Sequence, residues 1–175
     1  MKNQAPSLFA ILVLLVNVSF AQERPDLEAL DQKIQRQFEK SLPGWKRERV
    51  ESIEGSQNVL VEFWSLANRK VKISIMPHAS VEQAKEAFKD YAKYGVNREA
   101  VRDLGDEAMA WGYGSADIGF RRGRYMVYLS SAADVDSDPD ARSLTPDQRS
   151  EREKSEMRRL SREFAKHIAQ ALDAP

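Results

Sequence analysis

Three aspartates in the segment "DVDSDPDARSLT" have the spacing of calcium ligands. Asp134, Asp136 and Asp138 stand at the first, third and fifth positions of a calcium-binding loop, and a helix is predicted to follow. Pro139 replaces the glycine that makes the sharp turn at the sixth position, and Thr145 stands where such loops carry a bidentate glutamate. The segment therefore indicates an acidic, solvated connection, with a calcium-binding loop as the alternative.

The segment "GDEAMAWGYGSADIGFRRGRYMVYLSS" carries aromatic and arginine residues, which are frequent anchors of binding surfaces. Its alternating apolar residues predict strands on either side of "RRGR", where Gly123 supplies the positive φ of a tight hairpin. We expect the arginines to be exposed on this turn. The candidate contacts for a ligand or partner are Trp111, Tyr113, Arg121, Arg122 and Arg124.

Catalysis would require a nucleophile, a base and an orienting group that lie close together. The two histidines, His78 and His167, lie at no recognisable metal-ligand spacing, and Ser115 lacks the glycines of a nucleophile elbow. No cofactor motif is present. The sequence therefore favours a non-catalytic protein that binds a small ligand or a protein partner. The alternative is an enzyme of unrecognised type that uses Asp106, Glu107 or His78.

The first residues have the pattern of an export signal. Lys2 precedes the apolar run "LFAILVLLV", and Ser19 and Ala21 occupy the small-residue positions before a cleavage site. The apolar run is shorter than the roughly 20 residues that a membrane-spanning helix needs. We therefore predict a signal peptide at 1–21 and a single domain at 22–175 that works in the periplasm or outside the cell, without a membrane anchor.

The charge balance limits the classes of possible partner, and the cysteine content limits the class of scaffold. The 175 residues include 27 basic and 27 acidic side chains, so the chain has no net charge that would attract nucleic acid. It contains no cysteine, which excludes a disulfide scaffold. The predicted partners are a small ligand or a protein, and packing alone must stabilise the fold.

Three amphipathic helices are predicted from apolar residues at helical spacing. The first begins at Asp26, and the second runs from about Ser80 to Tyr94. The third begins at "TPDQ", where Thr145 and Gln148 have the spacing of a capping box. Each helix has one apolar face, so each is expected to pack against the rest of the domain.

Alternating segments predict an antiparallel sheet of about five to six strands, with the helices packed mainly on one face. The fold class is therefore α+β. "EGSQNVLVEF" and "YGSADIGF" share a pattern that suggests a pseudo-repeat of strand-strand-strand-helix units. The residues predicted to form one core are Phe63, Ile73, Phe88, Ile118, Val127, Leu160 and Phe164.

The stretch "LGDEAMAWG", followed by a strand, "FRRGR" and another apolar strand, resembles a group of small exported bacterial proteins of unknown function. In these proteins a Gly-Asp-Glu-Ala turn leads into a three-strand meander. The resemblance covers residues 104–129. It implies the same fold class and export, and it brings no activity with it.

Overall fold

The computed structural model describes residues 27–49 and 59–173. The predicted signal peptide at 1–21 lies outside the described residues. Export therefore stays a prediction. Among the described residues, no helix has the length and apolar composition needed to cross a bilayer.

The described residues form three α-helices, as predicted. They are α1 (Leu27–Ser41), α2 (Val81–Ala92) and α3 (Pro146–Asp173). The predicted capping box of α3 is present: Gln148 N–H donates to Thr145 Oγ1 at 3.3 Å, and Thr145 N–H donates to Gln148 Oε1 at 2.9 Å. These bonds satisfy backbone groups that the helix leaves unpaired, which is why the helix begins there.

One antiparallel sheet contains the seven strands of the described residues, one more than the upper end of the predicted range. The additional strand is β4, two residues that pair with β5 at one edge. The sheet order is β1-β2-β3-β7-β6-β5-β4. The strands are β1 (Lys46–Arg49), β2 (Leu60–Leu66), β3 (Arg69–Pro77), β4 (Glu99–Ala100), β5 (Glu107–Trp111), β6 (Asp117–Arg122) and β7 (Tyr125–Ala133).

The helices lie on both faces of the sheet. α1 and α3 cover the face whose strands supply Ile73, Ile118 and Leu129, and these residues share one core with Phe164 of α3. α2 packs against the opposite face of β6 and β7, where Phe88 is buried outside that core. The prediction that the helices pack mainly on one face is correct for two of the three helices. The prediction that Phe88 belongs to the common core is wrong, because Phe88 lies on the other face of the sheet.

The prediction that Phe63 belongs to the core is also wrong. β2 pairs with β3 so that Trp64 lies opposite Val71 and Glu62 lies opposite Ile73. Because partners in an antiparallel ladder point to the same face, Trp64 and Glu62 face the core and Phe63 faces away. Phe63 is only partly buried and lies under the ammonium group of Lys72. β2 carries apolar residues on both faces, so the sequence pattern alone does not show which of them face the core.

The predicted pseudo-repeat is not established by this arrangement. Each half of the sheet contains a meander of consecutive strands followed by a helix, and the halves meet where β3 pairs with β7. The following helices, α2 and α3, lie on opposite faces, so similarity between the halves does not extend to helix packing. The repeat stays a prediction about the strands.

Candidate functional site

The β6–β7 turn collects several of the residues singled out from the sequence. The carboxylate of Asp106, just before β5, reaches across to this turn: its Oδ2 accepts hydrogen bonds from Arg121 Nη1 at 2.7 Å and from the Gly123 N–H at 2.8 Å. Its Oδ1 accepts a bond from Arg122 Nη1 at 3.1 Å. Gly123 has φ +55°, as the hairpin prediction required. Asp106 therefore clamps the turn to the start of β5.

The expectation that all three arginines are exposed is wrong: Arg121 is 7% exposed, and Arg122 and Arg124 are partly buried. Glu107 is its partner in the β5–β6 register, so the two side chains lie on one face and their charged groups are 3.6 Å apart. Burial raises the pKa of Asp106, but the Gly123 N–H and the charges of Arg121 and Arg122 outweigh that effect and lower it. The carboxylate is therefore ionised and paired at neutral pH.

We expect Arg121→Met to lower the free energy of unfolding by about 2 kcal/mol. The change keeps much of the side-chain volume but leaves two acidic groups without their shared cation; the loss stays below that of a fully buried pair because both acids are partly exposed. Arg124→Met is the control, since among the described residues the Arg124 guanidinium forms no ion pair and lies over the Tyr125 ring at 5.7 Å. The variant should lose less than about 1 kcal/mol. Urea denaturation measures both, and equal losses would contradict the clamp.

Arg122 and Arg124 of this turn also contact neighbouring elements. Arg122 contacts Asp173 at the end of α3, and the carbonyl oxygen of Arg124 accepts a hydrogen bond from the His78 N–H at 2.9 Å. Burial lowers the pKa of His78. These contacts join the hairpin to α3 and to the segment before α2. The cluster therefore has a structural role, because it holds the hairpin in place.

Trp111 belongs to an aromatic cluster on the α2 face of the sheet. Its ring lies 5.5 Å from that of Tyr91 and 5.9 Å from that of Tyr128, with which it stacks. Tyr128 Oη donates a hydrogen bond to Asp117 Oδ1 at 3.1 Å. Burial and the Asp117 charge raise the pKa of Tyr128, so its hydroxyl stays protonated. The cluster forms a packed aromatic surface beneath the connection between α2 and β4.

That connection, residues 93–98, carries the two most exposed large hydrophobic side chains of the described chain. Tyr94 is 84% exposed and Val96 is 71% exposed. Gly95 lies against the Trp111 ring, where an added Cβ would approach Cγ of the tryptophan to 3.0 Å. The Val96 carbonyl accepts the Gly112 N–H at 3.4 Å, and Arg98 donates to the Ala92 carbonyl. The 93–98 loop is therefore bonded to the sheet at its middle, and Arg98 joins its end to the last residue of α2.

Tyr113 lies apart from Trp111, beside a cavity of about 290 Å³. It is exposed, and its hydroxyl is 2.8 Å from Ser150 Oγ, which lines that cavity. The remaining lining includes Asp134, Asp136 and Arg149. Thus the structure places one predicted binding residue next to part of the predicted calcium loop. It does not place Tyr113 with the arginines of the hairpin.

The three aspartates of the calcium alternative have separate partners. Asp134 accepts bonds from the Asp136 N–H and the Ser137 hydroxyl, at 3.1 and 2.6 Å. Asp138 pairs instead with Arg69 and Arg152, at 3.1 and 3.2 Å. In the part of the chain that the structure describes, no group of three acidic or histidine side chains is placed to hold a metal ion. The structure therefore does not assemble the ligand set that the spacing suggested.

Sequence reasoning missed Tyr94, Val96 and the buried Glu62. The predicted second helix extends to Tyr94, but α2 ends at Ala92, so Tyr94 and Gly95 lie in the loop that follows it. An aromatic and a β-branched residue on either side of that glycine were the available signal. For Glu62, the signal was an acidic residue inside the apolar run "VLVEFW".

Comparison of the chain with protein families, with curated proteins and with solved structures gives no significant match. A functional proposal for this chain therefore rests on its own residues and their geometry.

Proposed function

We propose that this chain is an exported, non-catalytic protein that binds a protein partner through the 93–98 loop. The observation that carries the proposal is the exposure of Tyr94 and Val96, two residues apart on one fastened loop. Tyrosine and arginine are enriched among the residues that dominate binding energy, and Arg98 borders this pair. Scattered apolar residues are common on surfaces, whereas two large ones displayed together favour a contact site.

The support beneath the loop favours binding because it reduces the entropy lost on association. Gly95 rests on Trp111, and the Trp111 ring is held in turn by Tyr91 and Tyr128. A loop that already has its bound shape loses less conformational freedom when the partner arrives. In this proposal Trp111 acts as a support for the binding residues, whereas the sequence suggested that it contacts the partner itself.

The loop also indicates the chemistry of the partner. The phenol ring of Tyr94 and the side chain of Val96 require an apolar pocket that can exclude water. Lys93 is already paired with Asp90 at 2.6 Å, whereas the Arg98 guanidinium is bound to a neutral carbonyl. We infer a partner whose pocket for an aromatic ring is bordered by an acidic group facing Arg98.

A non-catalytic role agrees with how the acidic candidates are used. Asp106 and Glu107, two of the three residues that the enzyme alternative could use, both pair with Arg121. Arg121 and Arg122 lower the pKa of Asp106, and a carboxylate with a lowered pKa is a weak general base. The proposed location, periplasmic or extracellular, rests on the signal-peptide pattern at 1–21, and the balanced charge gives no basis for nucleic acid as a partner.

Photo-crosslinking in the organism of origin tests this proposal. A photoreactive phenylalanine analogue replaces Tyr94 in one variant and Tyr113 in a matched control, since both tyrosines are exposed on the described surface. We expect one discrete crosslinked protein from position 94 and none from position 113. Absence of a product from position 94, with the variant folded and exported, would contradict the proposal.

The control position also examines the second candidate, a small polar ligand. Tyr113 lies beside the cavity lined by Asp136, Arg149 and Ser150, which approaches the size of a small-molecule site. A small-molecule adduct from position 113 alone, detected as an increase in the mass of that variant, would move the binding surface to this cavity. It would also overturn the assignment to the 93–98 loop.

A further inference from the structure

The contact between α1 and the sheet contains a buried carboxylate that the proposed binding loop does not use. Glu62 is 1% exposed and points from β2 into the core beneath α1. Its neighbours on the same face of the strand pair are Trp64 and Ile73. An ionised carboxylate in such a place requires compensating partners, because transfer of a lone charge from water into a protein interior is strongly unfavourable.

Among the side chains that the structure describes, the partners of Glu62 do not supply that compensation in full. Its Oε2 accepts a hydrogen bond from Trp64 Nε1 at 2.6 Å, and its Oε1 lies 3.4 Å from Arg47 Nη2. The same Nη2 atom of Arg47 also contacts the carboxylate of Asp31 on α1, and Arg47 Nη1 donates to Gln35. One guanidinium is therefore shared between two carboxylates.

We propose that this cluster makes the attachment of α1 sensitive to pH: Glu62 binds a proton in the folded protein, and α1 loosens when that proton is lost. Two carboxylates at one site favour retention of a proton on one of them, and Glu62 is the more buried of the two. Among the described side chains, the charged residues packed around it are Asp31 on α1 and Arg47 on β1. Arg49 is its backbone partner in the β1–β2 ladder.

The direction of the pH effect follows from this burial. Desolvation, together with the Asp31 carboxylate, raises the pKa of Glu62 from 4.5 to about 7, against the opposing effects of the Trp64 N–H and the Arg47 charge. Between these two values the folded state binds more protons than the unfolded state. Stability is therefore greatest at the acidic end of this range and falls as the pH rises through about 7.

The Trp64 indole N–H reports the proton directly, because it donates to Glu62. We expect its NMR signal, assigned with Trp64→Phe, to titrate with a midpoint more than one pH unit above that of an ordinary glutamate, about 4.3. The Trp45 indole signal in the same spectra is the internal control. Protection of the α1 amides from hydrogen exchange should fall across the same transition, in the full domain.

Urea unfolding of Glu62→Gln provides the second measurement. The unfolding constant of the unmodified protein, divided by that of the variant, should rise more than about tenfold between pH 5 and pH 8. Glu156→Gln is the matched control, because Arg159 and Arg69 hold the pKa of Glu156 at about 2, and its ratio should stay constant. If Glu62→Gln does not fold, the Trp64 titration decides alone. A Trp64 signal that does not change between pH 5 and pH 8 would overturn the proposal.

Discussion

Replacing Phe164 with alanine is expected to lower the free energy of unfolding by about 3 to 5 kcal/mol, as measured by urea denaturation. Phe164 is fully buried on α3. The centroid of its ring lies 5.0 Å from that of Phe38 on α1 and 4.7 Å from that of Trp45, and both pairs have edge-to-face geometry. Truncation would open a cavity where both helices meet the sheet. The loss of unfolding free energy therefore measures how much the packing of α1 and α3 against each other stabilises the domain.

Phe63→Ala is the matched control for this prediction. Phe63 is an aromatic residue on the opposite face of the sheet and is only partly buried, so its replacement should lower the free energy of unfolding by about 1 to 2 kcal/mol. Equal losses from the two variants would contradict the register of β2 and restore Phe63 to the core. A loss below about 1 kcal/mol from Phe164→Ala would contradict the packing of α3.

Gly105→Ala is expected to lower the free energy of unfolding by about 3 kcal/mol. Gly105 has φ +61°, a conformation that costs an L-residue roughly 1 to 2 kcal/mol. In addition, an added Cβ would collide with the backbone carbonyl oxygen of Arg121, which cannot move without disturbing β6. The two penalties add because one is local and the other arises between strands.

Gly123→Ala isolates the local penalty. Its φ of +55° is nearly the same, but no atom lies within 4 Å of an added Cβ. We expect a loss of about 1 to 2 kcal/mol from conformational strain alone. If thermal and urea denaturation gave the same loss for both glycine variants, Gly105 would not be pressed against β6, and the Asp106 clamp beside it would lose its support.

Local signals in the sequence predicted local structure well. Thr145 and Gln148 lie within one helical turn of each other, so their capping bonds depend little on the rest of the fold. Gly123 similarly specified the hairpin, because a two-residue turn depends on the backbone freedom at that position. The apolar face of α3 is also a local pattern, and its predicted core positions Leu160 and Phe164 are buried.

Features that depend on the pairing of distant residues were not predictable from these signals. The phase of β2 follows from its register with β3, and the burial of Arg121 follows from its position opposite Glu107. Which face α2 covers depends on packing by Phe88 and on the aromatic cluster beneath it. Periodicity identifies an apolar face but does not indicate what covers it.

The candidate site was only partly predictable for the same reason. The sequence predicts Trp111 as a contact for a ligand or partner, but it does not reveal the contacts of Trp111 with Tyr91 and Tyr128, which join residues from three separate elements. The exposure of Tyr94 follows from the end of α2 at Ala92, two residues before the tyrosine. A sequence pattern that continues a helix through Tyr94 gives no indication that this ring points into solvent.

The affinity of the crosslinked partner, once purified, tests the central claim that the 93–98 loop is the binding surface. Isothermal titration would compare the unmodified protein with Tyr94→Ala and with Tyr113→Ala, two exposed tyrosines on different parts of the domain. We predict that Tyr94→Ala raises the Kd about thirtyfold, as expected for a residue that dominates an interface, while Tyr113→Ala changes it less than about threefold. An unchanged Kd for a folded Tyr94→Ala variant would contradict the claim.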